Sequence, residues 1–163
     1  DGIEWAVQNG MRVVNMSLGG PSSAVMKKAV KAAVQAGVTV VAASGNDPNE
    51  PVSAPARYPE SICVSASTEE DQLAFFSTTG PEVDFIGPGH EVWSDAPGRK
   101  LAMHSGTSMA TPHVAGLAAL AVSLGADSPA AVKAMLQKAA KPLPGLTADQ
   151  QGAGLIEADR LAK

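Results

Sequence analysis

Arg12-Val13-Val14-Asn15-Met16 and Val38-Thr39-Val40-Val41-Ala42-Ala43 are two short runs rich in apolar, β-branched residues, and what lies between them decides the fold. Ser22–Ala36 carries Val25, Ala29, Ala32, Ala33 and Ala36 at three- and four-residue spacing, with Lys27, Lys28 and Lys31 turned outward and Gly37 closing the segment. That spacing is a helical period, and near-continuous apolar runs mark strands covered on both faces. Strand, helix and strand within about 30 residues make a right-handed βαβ unit with parallel strands. The expected class is α/β.

Residues 2–9 precede this unit as a short amphipathic helix, with Ile3, Ala6 and Val7 on one side and Asn9-Gly10 ending it. In open parallel sheets ligands bind beyond the carboxyl ends of the strands. Here those ends are Ser17-Leu18-Gly19 and Ser44-Gly45-Asn46, each with a glycine that allows a ligand backbone to come close. Extended Ser17–Gly19 is suited to pair with a peptide main chain as an added strand, which reads a peptide without demanding one sequence. A plain connecting loop is the other reading of either segment.

Further along, residues 47–61 hold Pro48, Pro51, Pro55 and Pro59 in a loop longer than a simple connection needs. Ile62–Ala66 reads as a strand, and Glu69-Glu70-Asp71-Gln72 as a solvated turn. Glu91–Asp95 and Lys100–His104 read as a hairpin around Ala96-Pro97-Gly98-Arg99. Asp127-Ser128-Pro129 starts a helix through about Ala140, with Val132, Met135, Leu136 and Ala139 as its inner face, and Gly154–Ala162 is expected as a last surface helix.

The second informative stretch is His104-Ser105-Gly106-Thr107-Ser108-Met109-Ala110-Thr111-Pro112-His113-Val114-Ala115-Gly116. It puts a hydroxyl where an extended run stops and a small-residue helix begins. Gly106 permits a sharp turn, Thr107 is the expected N-cap, and the helix is expected to run to about Leu124. Ser108 then lies in the first turn, where unpaired N–H groups and the positive end of the helix dipole favour negative charge. An attacking serine oxygen and a tetrahedral oxyanion develop such charge. Pro112 has no N–H for the carbonyl four residues back, so it frees the Ser108 carbonyl and is expected to bend the helix. A bare Gly-x-Ser turn, taken alone, reads as the start of a capped Ala/Gly-rich core helix.

The longer string Gly106–Gly116 resembles the nucleophile segment of the subtilisin-like serine proteases, the subtilases. Asn15-Met16-Ser17-Leu18-Gly19-Gly20 resembles the family's stretch along the primary specificity pocket, and Ala42-Ala43-Ser44-Gly45-Asn46 the one bearing its oxyanion asparagine. The resemblance implies a three-layer, doubly wound, mostly parallel sheet and a serine endopeptidase. In it Ser108 is the nucleophile, and the Asn46 side chain joins the Ser108 backbone N–H in the oxyanion hole. Ser17, Leu18, Gly19, Ala43, Ser44 and Gly45 are then expected to line the substrate groove, and Asp47 to reach its rim and favour basic side chains. The resemblance further implies a cis bond at Ala54-Pro55 and a weak structural site for calcium or sodium. That site uses backbone carbonyls at Ala56, Tyr58 and Ser61 with Asp84 nearby, oxygens of the kind hard cations take. Phe75-Phe76-Ser77 and Val83–Gly89 resemble the family's connection into the nucleophile region.

Serine is a poor nucleophile without a general base, and the base needs an orienting carboxylate. Of the three histidines, His113 follows Ser108 by five residues on one helix, about 140° round the axis, and reads as a packed supporting residue. His104 is expected to rim the cleft on the leaving-group side, and His90, in a Gly-Pro-Gly-His turn, to be exposed. Subtilases order their triad Asp, His, Ser, with Asp-(Thr/Ser)-Gly and His-Gly-Thr surroundings, and neither motif occurs here. Residues 1–163 are therefore read as the C-terminal portion of one subtilase catalytic domain, incomplete because its N-terminal strands are absent from this chain.

The expected partners are a peptide or protein substrate, the N-terminal portion of the protease with the catalytic Asp and His, and a propeptide. Alone, the chain is expected to be inactive, and no cofactor is expected to enter the chemistry. A non-catalytic pseudoprotease or assembly fragment of the same fold is the alternative. An α/β-hydrolase is disfavoured, because Ala110 stands where Gly-x-Ser-x-Gly has its second glycine and no acid-then-histidine order follows.

Composition excludes other classes. A chain of 163 residues, 45% apolar, with a net charge of −4 and a pI near 5.3, lacks the basic footprint of a nucleic-acid or anionic-membrane binder. Its single cysteine, Cys63, excludes an internal disulfide and, within Ile62-Cys63-Val64, reads as a small buried hydrophobe. With no cysteine pair and no clustered histidines, structural zinc is not expected. The longest apolar stretch, Val114–Val122, is too short to cross a bilayer, and the family resemblance implies an extracellular location.

Overall fold

Every residue of Thr39–Ala43 is buried, because helices cover this strand from both sides of the sheet. The computed structural model describes residues 1–162; Lys163, the last residue of the expected domain span, lies outside the described residues. The chain runs α1 (Gly2–Gln8), β1 (Val13–Met16), α2 (Ala24–Gln35), β2 (Thr39–Ala43), β3 (Ile62–Ser67), β4 (Val83–Pro88), β5 (Val92–Ala96) and β6 (Lys100–His104). It continues with α3 (Thr107–Ser123), α4 (Pro129–Ala139), β7 (Ala140–Lys141), α5 (Ala148–Gln151), β8 (Leu155–Ile156) and α6 (Ala158–Leu161). The main sheet has the order β1-β2-β3-β4-β8-β7, parallel except where β7 meets β8, and β5 and β6 form a separate antiparallel hairpin.

Alternation along the strands sorts the core into two halves. Val40, Ala42 and Cys63 face a cluster with Val30 and Ala33 of α2, against which Ile3 and Val7 of α1 also pack. Val41, Ile62, Val64 and Phe85 face the other way, onto Ala110, Val114 and Ala118 of α3 and Val132 and Leu136 of α4. Helix, sheet and helix thus make the three layers of an α/β fold. Burying a side chain such as Phe85 or Leu136 completely stabilises the fold by roughly 1.5–3 kcal/mol.

Four expectations are corrected. β1 is not a buried strand: it is the sheet's edge, with Val13 and Val14 half-buried, Asn15 exposed and Met16 buried. The inner face of α2 is Val30 and Ala33 with Met26 and Val34, whereas Val25 is 80% exposed and Ala32 and Ala36 face solvent. Gly154–Ala162 is not one helix, because Leu155-Ile156 pairs with β4 and β7 as a short strand before α6. Val83–Pro88, expected only as a connection, is strand β4.

Helix α3 is apolar on all sides, yet Leu120 and Leu124 at its far end are 38% and 45% exposed. Trp5, Trp93, Leu101 and Met103 are exposed as well.

Candidate active site

The carboxyl ends of β1 and β2 meet the N-terminus of α3, and hydrogen bonds tie all three. Ser108 is half-buried at the second position of the helix. Its carbonyl accepts the Ser17 hydroxyl at 2.8 Å, and its own hydroxyl donates to the Ser17 carbonyl at 3.3 Å. Pro112 explains the first bond: it cannot donate to the Ser108 carbonyl, and a side chain from the end of β1 takes the place of the missing N–H.

The expected N-cap is corrected. Gly106 is the N-cap and offers no side chain, while Thr107 is already the first helical residue. The cap comes instead from a distant strand end. Asn46 Oδ1 accepts the Thr107 backbone N–H at 2.8 Å and lies 2.9 Å from the Thr107 hydroxyl. A backbone N–H can only donate, so this bond fixes which end of the amide is oxygen and turns Asn46 Nδ2 away from the helix. Asn46 Nδ2 has no hydrogen-bond partner among the described residues, and the Ser108 N–H lies in the first turn, where helices leave donors free. A Cβ placed on Gly106 would sit 3.3 Å from Asn46 Nδ2 and 3.6 Å from Ser108 N, so both nitrogens flank the small space that this glycine leaves open.

Beside this space lies a cleft of about 300 Å³ bordered by Ser108, Asn46 and Thr107. Of the residues expected to line the groove, Leu18, Gly19, Ala43 and Gly45 do so. Ser17 does not line it but is bonded to Ser108, and Ser44 is completely buried. The Ser44 hydroxyl donates to the Thr78 carbonyl at 2.7 Å and its carbonyl accepts the Ser53 N–H at 2.9 Å, so Ser44 faces the fold rather than the cleft. Asp47 is on the cleft wall, as expected.

Thr78 was not foreseen. Its hydroxyl donates to the Asp47 carbonyl at 2.7 Å, it accepts the Asp47 N–H at 3.1 Å, and its own N–H donates to the Gly45 carbonyl at 3.0 Å. It therefore clamps the turn that presents Asn46. Glu50, Pro51 and Ser53 of the 47–61 loop share the cleft wall.

No histidine hydrogen-bonds Ser108 among the described residues. His113 is exposed, with Nδ1 2.9 Å from the Met109 carbonyl of its own helix, which corrects the expectation that it is packed. His104 is exposed at the end of β6 and is absent from the walls of the cleft. His90 is not a free turn residue: it is half-buried, stacks on Phe76 at 6.2 Å and meets Phe75 edge-on at 6.1 Å.

A sequence profile of the peptidase S8, or subtilase, family matches residues 1–154. The chain belongs to the subtilase family. It is 48% identical over 128 residues to subtilisin amylosacchariticus of Bacillus subtilis subsp. amylosacchariticus, covering 76% of this chain and 34% of that protein. It is 51% identical over 120 residues to subtilisin BL of Lederbergia lenta, covering 73% of this chain and 45% of that protein. The chain thus spans between a third and a half of these curated relatives. Among solved structures, the prenylagaramide maturation protease PagA superposes with a TM-score of 0.88 at 29% identity, over 98% of this chain and 64% of that one. A cold-adapted subtilisin-like serine proteinase superposes with a TM-score of 0.84 at 35% identity, over 96% of this chain and 57% of that one.

The cation site that the subtilase resemblance implied needs one correction. Asp84 Oδ1 is 2.6 Å from Lys133 Nζ and Asp84 Oδ2 accepts the Cys63 N–H at 3.0 Å, so an ammonium and an amide already engage this carboxylate. Asp84 is not a free ligand. The carbonyls of Ala56, Tyr58 and Ser61 remain, that of Tyr58 also accepting the Ser61 N–H at 2.9 Å. The same loop holds two buried side-chain oxygens without a partner among the described residues, Glu60 Oε2 and Ser61 Oγ. The Ala54-Pro55 bond is cis. Among the described residues no three His, Cys, Asp or Glu side chains are grouped to hold a metal, and no helix is long and apolar enough to cross a membrane.

Proposed function

We propose that this subtilase chain is the nucleophile-bearing part of a serine endopeptidase, completed by a segment that carries the catalytic Asp and His. One observation carries the reading: two N–H donors, Asn46 Nδ2 and Ser108 N, flank a single small space while Asn46 Oδ1 is held from behind by Thr107. Such prearranged donors stabilise charge that appears only in the transition state, because they need no reorganisation when it develops.

In the proposed reaction a peptide lies along Ser17–Gly19 with its scissile carbonyl oxygen between the two donors. Ser108 Oγ bonds to the carbonyl carbon as its proton passes to the histidine of the completing segment. The C=O electron pair moves onto oxygen, where Asn46 Nδ2 and Ser108 N stabilise it. Collapse of this intermediate breaks the C–N bond, and the histidine returns the proton to the leaving amine. Water then attacks the Ser108 ester with the same histidine as base, and release of the acid restores the hydroxyl.

The chain alone is inactive in this reading, since binding and the oxyanion donors without a base leave only residual catalysis. Its substrate is a peptide or protein, its location extracellular, and a propeptide assists assembly; the likeness to subtilisins supports these points. A structural sodium or calcium is held by oxygens of the 56–61 loop without Asp84, and no cofactor enters the chemistry.

The test is hydrolysis of a chromogenic peptide by the chain, by the chain mixed with the segment that naturally precedes it, and by the Ser108→Ala mixture. Activity confined to the mixture that retains Ser108 is expected. A mixture that assembles by gel filtration and binds peptide without cutting it would instead favour the non-catalytic alternative.

A further inference from the structure

The β5–β6 hairpin leaves in water a face whose composition does not suit it to water. In the hairpin register Trp93 stands opposite Met103 and Asp95 opposite Leu101, so these four side chains share one face, while Val92, Ala96 and Ala102 on the other face are half-buried. Trp93 is 65%, Leu101 67% and Met103 45% exposed, and they are the largest apolar side chains of the hairpin. Charge is divided along this strip. At its base Trp93 and Met103 border a groove of about 620 Å³ that also takes in Glu69, Glu70, Asp71 and Glu91; its lining includes His90 but no Lys or Arg among the described residues. None of the four carboxylates has a hydrogen-bond or ion-pair partner among the described residues. At its tip the cations Arg99 and Lys100 are exposed, and their side chains are equally unpaired among the described residues.

An apolar strip with carboxylates at one end and cations at the other is complementary to itself when turned end for end. We propose that this face is a self-association surface, on which a second copy of the chain lies in the reverse direction with its Arg99-Lys100 tip over the acidic groove of the first. A two-fold axis across the strip makes the contact isologous, so both basic tips meet both acidic grooves. Between them Trp93, Leu101 and Met103 of one copy cover those of the other, and burial of this apolar surface drives the association. Arg99 also suits the exposed face of a partner's Trp93, which attracts a cation. The opposite orientation is disfavoured, because it sets groove against groove and tip against tip. Asp95 lies within the strip and gains no cation, so Asp95→Asn is expected to strengthen the contact. The strip shares no residue with the cleft beside Ser108, and the inference stands whether or not the chain cuts peptides.

The experiment is analytical ultracentrifugation of the chain, alone and assembled with its N-terminal segment, in a Ser108→Ala background that prevents self-cleavage. A concentration-dependent dimer is expected in both. Reversing the tip, by Arg99→Glu with Lys100→Glu, or the groove, by Glu70→Lys with Glu91→Lys, is expected to weaken it about tenfold, since exposed pairs that attract become pairs that repel. Mixing the two reversed proteins sets each tip against a groove of opposite sign, and the resulting heterodimer is expected to recover the parent's affinity. A chain that stays monomeric, a dimer that both reversals leave unchanged, or reversed proteins that do not recover on mixing overturns the inference. So does a dimer of the chain alone that is lost on assembly, because the N-terminal segment then covers the strip in place of a second copy.

Discussion

The Ser17 hydroxyl donates at 2.8 Å to the Ser108 carbonyl, the group that Pro112 leaves without its helical donor. A break in one element is thereby repaired by another, and the repair fixes the end of β1 against the first turn of α3. Ser17→Ala is expected to lower stability by about 0.5–1.5 kcal/mol, the net value of such a bond. Pro112→Ala restores an N–H four residues on from Ser108, so in that background Ser17→Ala costs less. Urea denaturation of the two single variants and the double variant measures this coupling; losses that simply add would remove the proposed link.

Asn46 has two separable duties. Its oxygen caps α3 through the Thr107 N–H, and its nitrogen has no hydrogen-bond partner among the described residues. Asn46→Leu abolishes both, with an expected loss of about 1 kcal/mol in stability. Its expected loss in kcat is about 10²–10³-fold, a magnitude carried over from subtilisin itself. Asn46→Asp keeps an acceptor at the helix N-terminus, where negative charge is favourable, but removes the donor. It should match the parent in thermal stability and still lose activity at least as badly as Asn46→Leu.

Gly106→Ala puts a methyl group 3.3 Å from Asn46 Nδ2 and 3.6 Å from Ser108 N, in the space assigned to the oxyanion. The glycine also has φ of +157°, where a side chain is strained. Lower kcat with a smaller change in KM is the expected pattern, read from steady-state kinetics of the assembled protein. A rise in KM alone would mean that the space serves substrate binding and not the developing charge.

The parts of the fold legible in the sequence are those where one residue type repeats with contrast. Val13-Val14 and Val38–Ala43 stand out as strands because β-branched residues cluster between turn signals, and Ser128-Pro129 announces α4, whose Ser128 hydroxyl accepts the Ala131 N–H at 3.3 Å. Ala29, Ala32, Ala33 and Ala36 share one face of α2, but the covered residues Met26, Val30, Ala33 and Val34 lie on a face turned by about 90°, because alanine methyl groups carry too little apolar contrast to set the face against valine and methionine. Leu155-Ile156 is too short for a period, and its strand character comes from pairing with Ile86 and Ala140. At the site, Ser108, Asn46 and the two strand ends were recognisable as motifs. Thr78 was not, because its clamp on Asp47 spans 31 residues and leaves no local trace.

Cys63 gives a pH prediction. Burial, with the Asp84 and Glu82 carboxylates adding to it, pushes its thiol far above the ordinary value of 9.0. Above that pH the unfolded chain releases a proton that the native state keeps, so the unfolded state binds fewer protons and stability falls as pH rises. The slope contributed by this thiol approaches about 1.4 kcal/mol per pH unit beyond pH 9.0. Cys63→Ala should remove that contribution from stability measured between neutral and alkaline pH. Iodoacetamide should also label the native thiol far more slowly than the unfolded one.

In the proposed function Ser108 becomes a nucleophile only when the completing segment supplies a base. Fluorophosphonate labelling followed by peptide mapping tests it most directly. Modification at Ser108 is expected when the chain is assembled with its N-terminal segment, and none in the chain alone or after Ser108→Ala. Equal labelling of Ser108 with and without that segment, or labelling at another residue, would contradict it.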